Sequence, residues 1–403
     1  MRPPYPRHFA SPVLVLAGIA ISTAVTFNIL LPVVPVLLER SGPHGAAGAA
    51  TAALFIGAVA GELVTPRLMA RWSSSRLLVA GQLMTALPSL IYVIPHVDAL
   101  LMLSAAAARG IGMGVTIVVS VALVGELAPP ERRGRTIGYF GFALSAPGIV
   151  VPSIGVALQD AGHVGAVALI AFVIGIAGAL LVFMLPRRPE PAHPVSTSLL
   201  AALRRPGMLR LYAGFVLVSC SFGAVITFAP VALPAGGFGS AAAFLFVAGA
   251  ARALSRWLAG VVSDRRPGRL VLMVSIAITL AGLIALASTP NPAVVIFAAI
   301  AFGSGYGAVQ TAVYMAMTAR GSSAHRNTIS ALWNSGIDLG ASLGGSVLGL
   351  AAARYGYATA IWAIPVLLVI ALPLILAPAA SSAGPEGVEP AGSRVEEAGA
   401  TLP

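Results

Sequence analysis

Apolar residues gather in twelve blocks along the chain, at residues 11–38, 46–66, 76–95, 98–126, 134–158, 163–185, 208–232, 240–262, 268–288, 292–318, 327–352 and 356–377. Each block is long enough to cross a hydrocarbon core of about 30 Å as an α-helix, which needs roughly 20 residues. None shows the apolar-polar alternation of a membrane barrel strand, and in lipid only helices and closed barrels satisfy their own backbone groups. The pattern predicts an all-α membrane protein of twelve transmembrane helices.

One stretch interrupts the rhythm. Residues 186–207 hold Arg187, Arg188, Arg204, Arg205 and five prolines but no apolar block. They divide the chain into an N-terminal six-helix half (1–185), a linker (186–207) and a C-terminal six-helix half (208–378). The tail, 379–403, is rich in Ala, Gly, Pro and Glu, cannot bury a core, and is expected to be disordered.

Composition agrees with the block pattern. At 58% hydrophobic and 9% charged residues, with mean hydropathy +0.93, the chain has too few polar groups to cover a soluble globule of 403 residues. The formal charge of +11 comes from 24 arginines with no lysine. Such a balance could signal nucleic acid, but the arginines sit in short loops between apolar blocks, so a nucleic-acid partner is not expected. Three of them, Arg109, Arg252 and Arg256, lie inside blocks, and Arg40 and Arg354 fall on one side. The other 19 fall in the termini and the loops after helices 2, 4, 6, 8 and 10. The positive-inside rule then puts both termini in the cytoplasm, with the inner plasma membrane as the expected location. The first apolar block follows Arg2, Arg7 and His8 but is long enough to span, so no cleavable signal peptide is evident.

The two halves repeat at an offset of roughly 195 residues. Gly110, Gly112 and Gly114 in helix 4 recur as Gly303, Gly305 and Gly307 in helix 10, and Glu131-Arg132-Arg133-Gly134 before helix 5 recurs as Ala324-His325-Arg326-Asn327 before helix 11. The charged hairpin after helix 8 reads Gly260-Val261-Val262-Ser263-Asp264-Arg265-Arg266-Pro267-Gly268-Arg269, and its counterpart after helix 2 holds Gly61-Glu62-Leu63-Val64-Thr65-Pro66-Arg67 and then Arg71 and Arg76. Gly, Asp and Arg at this spacing resemble the signature loop of the major facilitator superfamily, which joins the second and third helices of each half. Pro267 is one residue extra, and Thr65 stands where the family usually has Asp. The resemblance covers residues 11–377 and implies a secondary carrier with a small-molecule substrate, protons as the coupling ion, no cofactor, and function as a monomer. It also implies a gating role for Gly61, Glu62, Arg67, Arg71, Gly260, Asp264, Arg265, Gly268 and Arg269.

Charged groups within spans are the strongest functional candidates, because each costs a few kcal/mol in the bilayer unless paired or hydrated. Arg109, in Ala108-Arg109-Gly110, resembles the Arg-Gly motif of helix 4 in the family, which is linked to proton coupling. Asp338 lies at similar depth in helix 11. Lost hydration favours the neutral form of such a carboxyl and a nearby Arg its charged form, so it can serve as a proton or substrate coupling residue; a static ion pair with Arg252 or Arg256 in helix 8 is the alternative. Arg252 and Arg256 are four apart and share a face, and Arg256 is near enough to the cytoplasmic end to support the loop with Asp264. Glu62 and Glu126 are expected to pair with loop arginines. Asn28, Gln310 and Asn334 are uncharged candidates for the cavity wall, although a hydrogen bond to a neighbouring helix is the commoner fate of a lone membrane Asn or Gln. Helix 5, with Pro147, Gly148 and Pro152, faintly resembles the Gly-Pro motif of family antiporters, in reversed order. Glycines at alternate positions in helices 4 and 10 permit close packing, and Pro32, Pro35, Pro147, Pro152 and Pro230 are candidate kinks.

Other chemistries find little support. Without Lys there can be no Walker A motif. The six histidines lie in loops or at span edges, and the single Cys220 excludes an intrachain disulfide or thiolate cluster, so no metal site is expected. Only Asp338 is a deep carboxylate, one short of an aspartyl enzyme. The expectation is therefore not an enzyme but an exporter of a small amphipathic drug or metabolite by proton antiport, with a proton-coupled importer or facilitator of a small polar solute, or a non-transporting sensor or scaffold, as alternatives.

Overall fold

The computed structural model describes residues 12–43, 45–94, 96–127, 133–185, 202–263, 265–288, 291–320 and 326–376. Most of the 186–207 linker, the tail, Asp264 and the loop Glu131–Arg132 lie outside these residues. The described chain is helical: α1 Pro12–Leu30, α2 Val33–Ser41, α3 Ala46–Met69, α4 Ser74–Ala86, α5 Ala99–Leu127, α6 Arg133–Ser145, α7 Pro147–Asp160, α8 Val164–Leu181, α9 Met208–Ala232, α10 Ala241–Ser263, α11 Gly268–Ser288, α12 Pro292–Ala319, α13 Arg326–Tyr355 and α14 Tyr357–Leu376. These account for all twelve expected spans, with eleven long and apolar enough to cross a membrane and the twelfth carrying the shorter apolar stretch Ala363–Leu376.

Proline decides where the spans break. The first divides at Leu31–Pro32 into α1 and α2, and the fifth at Ala146 into α6 and α7, with Pro147 in the first turn of α7, where a missing N–H costs nothing. The third ends in a 3-10 segment, Leu87–Val93, with Pro88 near its start. Pro152 and Pro230 stay inside continuous helices.

The alternating glycines explain how each half is assembled. At 100° per residue, positions i and i+4 share a face and i+2 faces away. A Cβ at Gly110 or Gly114 would strike the α3 backbone at Leu54 and Ala58, whereas one at Gly112 would strike Gly81 and Thr85 of α4. The second half repeats this: Gly303 and Gly307 lie against Ala248 and Arg252 of α10, and Gly305 against Thr279 of α11. Thus α5 is wedged between α3 and α4, and α12 between α10 and α11, with backbones in contact on both sides. The remaining pairs match as well, since α1 packs on α7 and α8 as α9 packs on α13 and α14.

The halves meet along two seams, α3 against α13 and α7 against α10. Contact is tightest at the end of the bundle away from the chain termini. There Gly45 and Gly48 abut the backbone of Gly349 and Gly345. Thr51 and Thr227 share a buried hydrogen bond of 2.6 Å, and because the Thr227 hydroxyl donates to Gly223 O at 2.5 Å, Thr51 is the donor of that bond. The Glu39 carboxylate closes the hairpin before α3 by accepting from the backbone N–H of Gly45 (3.0 Å) and Ala47 (2.9 Å). At the termini end the seam parts: α6 packs on α1, α5 and α7 rather than on α10, and nothing lies within 4 Å of a Cβ at Gly141 or Gly260. Among the described residues the seam is closed at one end and open at the other.

Candidate functional site

Mid-depth polar groups collect on both sides of the parted seam. On the α7–α10 side a pocket is lined by Asn28 and Leu31 of the first span, Gly148, Phe222 of α9, and Arg252 of α10. The absence of a side chain at Gly148 lets the two polar groups converge: a Cβ there would touch Arg252 Nη2 at 3.4 Å and Asn28 Oδ1 at 3.6 Å. Arg252 Nη2 donates to Gly148 O at a long 3.3 Å, and the guanidinium carbon sits 5.3 Å from the Phe222 ring centroid. Phe222 belongs to a stack with Tyr306 and Phe302, with centroids 5.5 and 5.8 Å apart. One turn further along α10, the Arg256 guanidinium lies 5.4 Å from the Trp333 ring centroid, and Trp333 Nε1 donates to Gln310 O at 2.9 Å.

Two carboxyl groups occupy the α3–α13 side. Asp338, 6% exposed at the middle of α13, and half-buried Glu62 of α3 are near enough across the seam to interact electrostatically. Tyr212 and Ser335 stand beside them: Ser335 donates to Leu332 O, so the Tyr212 hydroxyl donates to Ser335 Oγ at 3.2 Å. Tyr306, fully buried, lies between this group and Arg252 and donates to Ser219 Oγ at 3.4 Å.

Several expectations change with these positions. The static pair of Asp338 with Arg252 or Arg256 does not form; among the described residues no arginine is within ion-pair distance of Asp338, because Arg252 turns to Gly148 and Phe222 and Arg256 to Trp333. Arg256 packs against Trp333 inside the bundle, while Asp264, the hairpin residue it was expected to support, lies outside the described residues. Arg109 is 1% exposed and faces the interior of its own half, where Nη2 donates to Thr26 O at 2.7 Å beside Tyr92, so it does not meet Asp338 across the cavity. Glu62, expected as a gate partner of loop arginines, is also a second carboxyl of the seam beside Asp338, so Asp338 is not the lone deep acid. Asn28 donates to Ala24 O at 2.8 Å and still presents Oδ1 to the pocket; Gln310 is buried with Oε1 lacking a hydrogen-bond partner, and Asn334 is half-buried on α13.

The hairpin residues sit at the open end. Arg67, Arg71, Arg265, Gly268 and Arg269 are exposed, and Glu126 is exposed at the end of α5. Gly61 is packed against Ile111, and Thr65, fully buried, donates to Gly61 O at 2.6 Å, while Gly260 has open space around it. Sequence reasoning missed Tyr212, Ser219, Phe222 and Tyr306 as site members. Tyr306 carried a signal, being a large side chain set between the packing glycines Gly305 and Gly307.

No curated protein matches this sequence. Among solved structures, a mutant of the nucleoside transporter NupG has TM-score 0.71 at 14% identity, with 91% of this chain and 99% of that one covered. A bacterial homologue of the human lysosomal transporter Spinster, in an inward-facing and occupied conformation, has TM-score 0.68 at 18% identity, with 90% and 95% covered, and its unoccupied form has the same TM-score at 17%. Identities this low bear on fold alone. The family model for the Major Facilitator Superfamily matches residues 16–345, and with two six-helix halves about a parted seam the chain belongs to that superfamily and is a membrane transporter, not an enzyme.

Proposed function

We propose that the chain is a proton-coupled secondary carrier that exports a small amphipathic molecule across the inner plasma membrane, with both termini and the linker cytoplasmic. The observation that carries this reading is Asp338: a buried carboxyl at mid-depth, on a seam that must open and close, with no arginine partner among the described residues. A fixed charge there would cost several kcal/mol, whereas a group that is charged in one conformation and neutral in the other converts a proton gradient into a change of shape. Phe222, Phe244 and Phe302 supply an aromatic wall for the solute, with Tyr306 stacked behind Phe222 and Phe302.

A second reading, uptake together with a proton, draws support from Arg252 and Arg256. A bound anion and a bound proton attract each other and move most favourably in the same direction. Metabolite and drug-sensitivity profiling of a deletion strain would nominate substrates, and purified protein in liposomes under an imposed pH gradient would test them. Exchange raises the proton concentration on the side the solute leaves, and co-transport lowers it. Under either direction Asp338→Asn should abolish uphill movement while leaving binding in place; uphill transport by that variant would overturn the assignment.

A further inference from the structure

The acidic seam and the cationic pocket are separate places. The pocket walls come from α1 and the Leu31 turn after it, α7, α9, α10 and α12, and neither Asp338 nor Glu62 is among them. Its polar groups are Arg252 and Asn28; the rest of the lining is apolar, including Leu31, Phe222, Ile226 and Phe244. A guanidinium offers five N–H donors in a planar fork. Here one Arg252 donor makes a long bond to Gly148 O and the group is otherwise laid against Phe222. Arg256, one turn away, likewise lies against a ring, and among the described residues no carboxylate pairs with either arginine. Two cations within a membrane span, without an acidic partner among the described residues, are expensive as packing elements, since an apolar side chain would fill the space more cheaply. They are well suited to receiving a planar anion, for which the free fork offers bidentate geometry.

We propose that this pocket binds the head of an organic anion, with Arg252 pairing with its carboxylate or equivalent oxyanion, Asn28 completing the hydrogen bonds, and the aromatic and aliphatic wall holding an apolar body. Arg256 is the second cation on the path between pocket and open end. The inference rests on the reading of the space between the halves as the transport path, and it names the chemical class of the solute.

The test uses purified full-length protein in detergent and three probes of matched shape: 1-naphthaleneacetate, 2-(1-naphthyl)ethanol and 2-(1-naphthyl)ethylammonium. Binding is read by calorimetry and by thermal shift. The acetate should bind at least tenfold tighter than the alcohol, and the ammonium weakest. Arg252→Gln should reduce the acetate to the affinity of the alcohol, and Arg252→Lys should retain part of the preference, each variant being checked for an unchanged melting profile without ligand. The wild-type series stands by itself should a variant fail to fold. Equal affinity for all three, preference for the ammonium, no acetate binding at millimolar concentration, or a preference that survives in folded Arg252→Gln would each overturn the proposal. A protein that binds the acetate selectively yet moves no solute in liposomes would instead refute the carrier reading and leave this one standing.

Discussion

Gly48 tests whether the far-end contact holds the molecule in the shape described here. In this conformation a Cβ at Gly48 would run into the Gly345 carbonyl and lie 3.1 Å from Gly349 Cα. Both neighbours are backbone, so no flexible side chain can yield and α3 and α13 must separate. Inserting a methyl group into such a contact costs about 1 to 3 kcal/mol. The cost falls only on the conformer in which these helices touch, so in Gly48→Ala the ratio of this conformer to the alternative should fall by roughly 5- to 140-fold, at about 1.4 kcal/mol per factor of ten. A single cysteine at Asn334, on a Cys220→Ala background, reports the population through its reaction with a membrane-impermeant maleimide supplied from the open side. Labelling should slow as the open form becomes the minority. Gly141→Ala, with nothing within 4 Å of the added carbon, is the matched control and should label at the parental rate. Parental labelling and an unchanged melting temperature in Gly48→Ala would refute the reasoning, because the glycines would then have no bearing on which state is populated.

The hairpin gives the opposite perturbation: if Asp264 and Arg265 hold the termini end shut in the alternative state, Asp264→Asn should raise labelling at the same reporter, and an unchanged rate would count against a gate. Arg109→Leu should lower stability by about 1 to 3 kcal/mol, since it removes the buried 2.7 Å bond to the Thr26 carbonyl, whereas Asp338→Asn should leave the melting temperature near the parental value; the two melting curves settle the contrast. Orientation is tested by single cysteines at Ser196 and Ser288, which should label from the cytoplasm and from outside respectively, with the reverse pattern contradicting the arginine count.

Sequence determined the architecture because a membrane leaves the chain few options. Twelve apolar blocks in an insoluble composition must become helices, and their lengths fixed the span boundaries to within a few residues. The glycines at 110, 112, 114 and at 303, 305, 307 were legible as packing sites because a helix places alternate residues on opposite faces, and a missing Cβ has one main use in lipid. The depth of Asp338, Arg109, Arg252 and Arg256 could be counted from the block ends. Depth along an axis is a local property.

Direction around the axis is not, and that is what tertiary structure decided. Arg109 and Arg252 lie at comparable depths, yet one is enclosed by Thr26 and Tyr92 within its own half and the other opens onto the pocket at Gly148, because the neighbours packed around each helix select which rotamer finds a partner. Glu62 reads as a gate residue by its place in the hairpin motif, and it becomes a partner of Asp338 only when α3 and α13 lie side by side. Pairings across the seam join residues almost three hundred positions apart. Helix periodicity sets neither which faces of the two halves meet nor which end of the seam is closed; those follow from the fit of Gly45 and Gly48 against Gly349 and Gly345, a backbone contact that exists only once both halves are folded.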